Sequence, residues 1–99
     1  MSKDSRFVAT GKIWRVQEPG GWFFLTIDKK TAQGIRFFSE GHTVGLGYVK
    51  VTAKIGKTSW DTTLFPTKTK EYLLAIKASV RKNENLSEGD RIRVVVDLI

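Results

Sequence analysis

The sequence predicts a mainly β protein, one small β-barrel of about six strands with two short helices. Three observations predict it: apolar residues alternate at period two through most of the chain, turn signals recur between the alternating segments, and only two stretches shift to helical spacing. A chain of 99 residues that is 40% hydrophobic is sized for a single core. The expected organisation is a flexible N-terminus over residues 1–5 and one barrel domain over residues 6–99.

The first strand is "RFVATGKIWRV". It sets Phe7, Ala9 and Ile13 on one face, with a bulge expected at Gly11, and ends at the turn "EPGG" over residues 18–21. "WFFLTID" follows, with Phe23, Leu25 and Ile27 on one face and Trp22, Phe24 and Thr26 on the other. Two apolar faces predict a central strand. At "DKKTAQGIRFFSEG" the period changes: Asp28 caps a short helix whose inner side holds Ala32, Ile35, Arg36 and Phe38. "GHTVGLG", residues 41–47, is then a glycine-rich connection and the expected mobile segment.

"YVKVTAKI" and "TSWDTTLF" flank Gly56-Lys57, a two-residue loop with glycine first, which predicts a type II′ hairpin. Counting outward from Ile55 opposite Thr58 pairs Ala53 with Trp60, Val51 with Thr62 and Val49 with Leu64 on the core side. The outer side then pairs Lys54 with Ser59, Thr52 with Asp61, Lys50 with Thr63 and Tyr48 with Phe65. Trp60 opposite a small alanine reads as a core filler. Pro66 ends the strand, because it cannot donate to a ladder.

Tyr72 to Ile76 form the next strand. Ile76 and Val80, four apart, place a short helix reaching about Asn85. Gly89-Asp90 is a turn in which the carboxylate accepts backbone N–H groups. Arg91 to Ile99 make the closing strand, with Ile92, Val94, Val96 and Leu98 on its apolar face.

The succession "WFFLTID", short helix, "GYVKVTAKIGKTSWDTTLFP", "EYLLAIKASVRK" and "LSEGDRIRV" resembles the bacterial and archaeal family catalogued as domain of unknown function 1905. The resemblance covers roughly residues 6–99 and implies architecture rather than activity: a small closed or partly open β-barrel with two short helices. Three positions depart from the family pattern. Asp28 stands where proline is common, and Asn83 and Asn85 stand where alanine and glycine are usual. Within the same region "AIKASVRKNENLSEGDRIRV" is similar to the strand, helix, Gly-Asp turn and strand of swapped-hairpin transcription factors. Ala75 replaces their proline, so the likeness is one of architecture.

Net charge is +7, from 17 Lys and Arg against 10 Asp and Glu. Residues 1–49 carry seven basic and four acidic side chains, and residues 50–99 carry ten and six. So evenly spread an excess favours a solubilising surface over nucleic-acid binding. Binding by charge alone would be micromolar or weaker at low salt and vanish near physiological ionic strength. The absence of Cys removes disulfides, thiolate chemistry and Cys-ligated zinc, and predicts a cytoplasmic protein. Met1-Ser2-Lys3-Asp4 opens no apolar run, and no stretch of about 18 apolar residues occurs, which predicts neither export signal nor membrane span.

No catalytic residue, metal site or cofactor is expected. His42 is the only histidine and lies in the glycine-rich loop, Asp61 faces Thr52, and Glu84 and Glu88 lack any further ligand. The expected function is therefore a non-catalytic binding or accessory module, monomeric, that recognises a small anion or a protein partner at the barrel rim. Its candidate residues are Arg81, Lys77, Lys54, Trp22, Trp60 and Thr62, with Arg81 foremost for its fixed guanidinium fork and the loop 41–47 alongside. The competing structural role for Arg81 is an ion pair with Glu84 at i+3. A second reading is a nucleic-acid-binding barrel that uses Lys50, Lys54, Lys57, Lys82, Arg91 and Arg93 together with Lys77 and Arg81. That reading requires exposed aromatics, which the hairpin register denies for Trp60 and allows for Trp14 and Trp22. An enzyme of unidentified class is the third.

Overall fold

A computed structural model of the chain describes residues 6–17, 20–39, 43–44 and 47–99. The elements run β1 (Arg6–Arg15), β2 (Phe23–Ile27), α1 (Lys29–Phe38), β3 (Thr43–Val44), β4 (Tyr48–Ile55), β5 (Thr58–Pro66), β6 (Tyr72–Ala75), α2 (Ala78–Glu84) and β7 (Arg91–Leu98). Residues 1–5, expected to be a flexible terminus, lie outside the described residues.

Six antiparallel strands close in the order β4, β5, β6, β2, β1, β7 and back to β4, and β3 flanks the start of β4. Closure is what removes the sheet edges that an open sheet of this size would expose. Alternation then decides the interior: Ala9, Ile13, Leu25, Ile27, Val49, Val51, Ala53, Leu64, Leu74, Val94 and Val96 are all buried there. A barrel this narrow is filled by its own side chains, so ligands are confined to its rims and outer wall.

The hairpin follows the predicted register from Ile55↔Thr58 to Val49↔Leu64, with Trp60 opposite Ala53 and 9% exposed. Gly56 has φ of +59° while Lys57 stays at negative φ, as a II′ turn requires. On the outer wall Thr52 donates to Asp61 at 2.8 Å, and Tyr48 meets Phe65 edge-on at 5.4 Å. β2 lies between β6 and β1 as expected for a central strand, but its outer aromatic face is not covered by a second layer. In a closed barrel every strand is central, so neighbours on both sides do not bury the outer face.

The bulge expected at Gly11 is absent from the β1–β7 pairing, which runs unbroken from Arg6↔Asp97 to Lys12↔Arg91. Gly11 serves close approach instead: a Cβ there would stand 3.2 Å from the Thr26 carbonyl oxygen and 3.4 Å from Leu25 Cγ.

Two of the three departures prove to be helix caps, and the third, Asn83, is an exposed residue of the last turn of α2. The Asp28 carboxylate accepts from Thr31 N at 3.0 Å, and Asn85 takes the left-handed conformation (φ 55°, ψ 50°) that glycine would supply at the end of α2. Ala32 and Ile35 of α1 are buried as expected, whereas Arg36 and Phe38 are exposed. α1 follows the C-terminal end of β2 and packs on Phe7. α2 lies by the N-terminal end of β2, where Ile76 N donates to the Phe23 carbonyl at 2.9 Å. The helices therefore sit at opposite mouths of the barrel.

Candidate anion site at the rim

At the α2 mouth the strand ends converge. β1 finishes at Arg15 opposite Phe23, and β6 runs through Ile76 into α2. They leave a cavity of about 230 Å³ lined mainly by Gly21, Trp22, Phe23, Ile76, Lys77 and Arg81. Arg81 sits over the Phe23 ring, its Cζ 3.8 Å from the ring centroid, and its Nε donates to the Ile76 carbonyl at 3.1 Å. Stacking and that single bond hold the guanidinium while its two terminal nitrogens make no protein hydrogen bond among the described residues. Arg15 reaches the same ring with its Cζ at 5.7 Å.

Among the described residues the only ion pair joins Arg6 to Asp97, at 2.9 Å, so Arg15, Lys77 and Arg81 have no carboxylate partner there. The expected pairing of Arg81 with Glu84 does not form. Glu84 turns to the hairpin, accepting from Thr58 Oγ1 at 2.6 Å and from Lys57 N at 3.2 Å. A carboxylate that satisfies an orphan backbone N–H and a half-buried hydroxyl gains more than one in a solvent-screened ion pair.

The predicted rim residues separate on folding. Trp22, Lys77 and Arg81 meet in the cavity. Trp60 is in the core, half-buried Thr62 faces Val51 on the inner side of β5, and Lys54 lies on the outer wall beside Gly56, Arg93 and Val95. The glycine-rich loop is also misplaced by the sequence reading. Thr43 and Val44 pair with Val49 and Tyr48, and Gly47 stands by Pro66, all at the α1 mouth. β4, at roughly 3.3 Å per residue, separates that mouth from the α2 mouth by ~20 Å. The rest of that loop, His42 included, lies outside the described residues.

Of the cations named for nucleic acid, Lys50, Arg91 and Arg93 project from the outer walls of β4 and β7, Lys57 from the hairpin turn and Lys82 from α2, all exposed. Arg15 and Phe23 were missed as site residues. Their signal is an arginine two residues beyond inward-facing Ile13, which must leave the core at the strand's end, and a phenylalanine at the matching end of β2.

Among the described residues no group of three or more His, Cys, Asp or Glu could hold a metal ion, and no helix is long and apolar enough to cross a membrane. The fold and rim define a small closed antiparallel barrel with a cationic mouth. The chain belongs to the family described as Domain of unknown function (DUF1905), whose model matches residues 10–96. No curated protein matches it.

Proposed function

We propose that the domain is a non-catalytic binding module that captures a small organic anion at the α2 rim. The observation that carries this reading is Arg81, held against Phe23 and the Ile76 carbonyl in the wall of a cavity that has a second cation, Lys77, and no carboxylate among the described residues. Preorganisation of this kind lowers the ordering cost of binding. The fork suits a carboxylate or phosphate in bidentate contact, and the walls supplied by Trp22, Phe23 and Ile76 favour an anion with an apolar or planar body over a bare inorganic ion.

The test is an NMR titration of labelled protein with a panel of aliphatic and aromatic carboxylates and phosphate esters. Amide shifts are expected at Gly20–Phe23 and Ala75–Arg81. Arg81→Ala removes a charge-assisted contact, so affinity should fall roughly tenfold or more. Shifts confined to the α1 mouth, or none from any member of the panel, would defeat the reading.

A further inference from the structure

Spread along the sequence, the basic residues look like a solubility device, but folding gathers several of them on one wall. On the outer face Lys12 of β1 stands directly opposite Arg91 of β7, and Thr10 opposite Arg93. Lys54 of β4 is opposite Val95, and Lys54 and Arg93 share a surface groove of about 300 Å³ with Gly56 and Val95. Two residues beyond Lys12 on the same face of β1 is Trp14, opposite Phe24 of β2. The rings of Trp14 and Phe24 are 5.3 Å apart, and Trp22 stacks near-parallel to Phe24 at 6.2 Å with an interplanar angle of 12°. Trp14 is 37% and Trp22 59% exposed.

We infer that this outer face binds single-stranded nucleic acid, with bases stacking on Trp14, Phe24 and Trp22 and phosphates held by Lys12, Arg91 and Arg93. Three features support a polyanion as occupant. Like charges directly opposite across strands destabilise a sheet, and a phosphate between Lys12 and Arg91 relieves that repulsion. Among the described residues no carboxylate is in ion-pair contact with Lys12, Arg91 or Arg93: Asp97 is taken by Arg6, and Asp90 turns to accept Ser87 N at 2.8 Å. The platform is also fixed in advance, because Trp14 Nε1 donates to Thr26 Oγ1 at 2.9 Å. Ring faces beside a cationic groove select unpaired bases, since bases in a duplex are already stacked on one another. Stacking responds little to salt, so some binding should survive physiological ionic strength, where attraction by charge alone would fail.

The experiment is fluorescence anisotropy of a labelled oligothymidylate of about ten nucleotides, with a duplex of equal length as comparator and a salt series for each. The single strand is expected to bind more tightly than the duplex. Trp14→Ala should weaken it about tenfold, and Trp14→Phe should retain the platform. Removing two phosphate contacts with Arg91→Gln and Arg93→Gln should make the log–log salt slope shallower by about 1.4. In the unaltered protein the oligonucleotide should shield tryptophan emission from iodide, a readout that needs no variant to fold. Equal duplex affinity, unchanged binding by a folded Trp14→Ala protein, or absence of iodide shielding would overturn the assignment.

Discussion

Trp60 and Lys57 sit three residues apart in one hairpin and meet opposite fates. The indole fills the space over Ala53, whereas the lysine side chain leaves the turn into solvent. Trp60→Ala should therefore cost about 3–5 kcal/mol, transfer and cavity contributions together. Lys57→Ala should be nearly silent, because only the backbone N of Lys57 bonds Glu84. Urea denaturation of the two variants checks this, and similar midpoints would show that Trp60 is not a core residue. Both fates were legible in the sequence, since two-residue turn chemistry sets register and register sets faces. The fate of Arg81 was not. Whether it paired with Glu84 or stacked on Phe23 depended on the distance from α2 to two segments remote in sequence.

At the level of elements, helix ends carry the chain's departures from its family pattern. The Asp28 carboxyl is held below the usual carboxylate range, chiefly by the hydrogen bond from Thr31 N. A depressed folded pKa contributes stability above the unfolded value of about 3.9, and that contribution is lost as pH falls through the lower folded value. Asp28→Ala should thus cost about 1 kcal/mol at neutral pH, and the gap between variant and parent should close as the protein is taken toward strong acid. A gap independent of pH would mean that the aspartate acts by some route other than its charged cap. The tie between α2 and the hairpin is another matter. Glu84 fits because Gly56 has no side chain: a Cβ there would collide with the carboxylate, so the glycine serves the turn and the helix contact together. Turn chemistry revealed only the first of these roles.

For the molecule as a whole, the charge of +7 becomes informative only once it is placed. With Lys12 facing Arg91 and with Arg93 and Lys54 around one groove, repulsion should weaken the free barrel at low ionic strength. Thermal melts are expected to rise by several degrees between about 0.02 and 0.5 M sodium chloride. The increase should shrink in Arg91→Gln. A melting temperature indifferent to salt would remove the cationic wall as an energetic feature and weaken the case for a polyanion there.

The barrel, its hairpin register, the Asp28 cap and the inward residues of the strands were determined by the sequence itself, because each rests on period-two alternation or on local chemistry within a few residues. Which rim and wall residues become neighbours was decided only by the tertiary structure. Closure joins β4 to β7 and β7 to β1, so Lys54 meets Arg93 and Lys12 meets Arg91, while Thr43, Val44 and Gly47 before β4 are carried to the far mouth. Those pairings link residues tens of positions apart, and neither the spacing of hydrophobic residues nor local propensity encodes which end of an antiparallel barrel a given side chain will share.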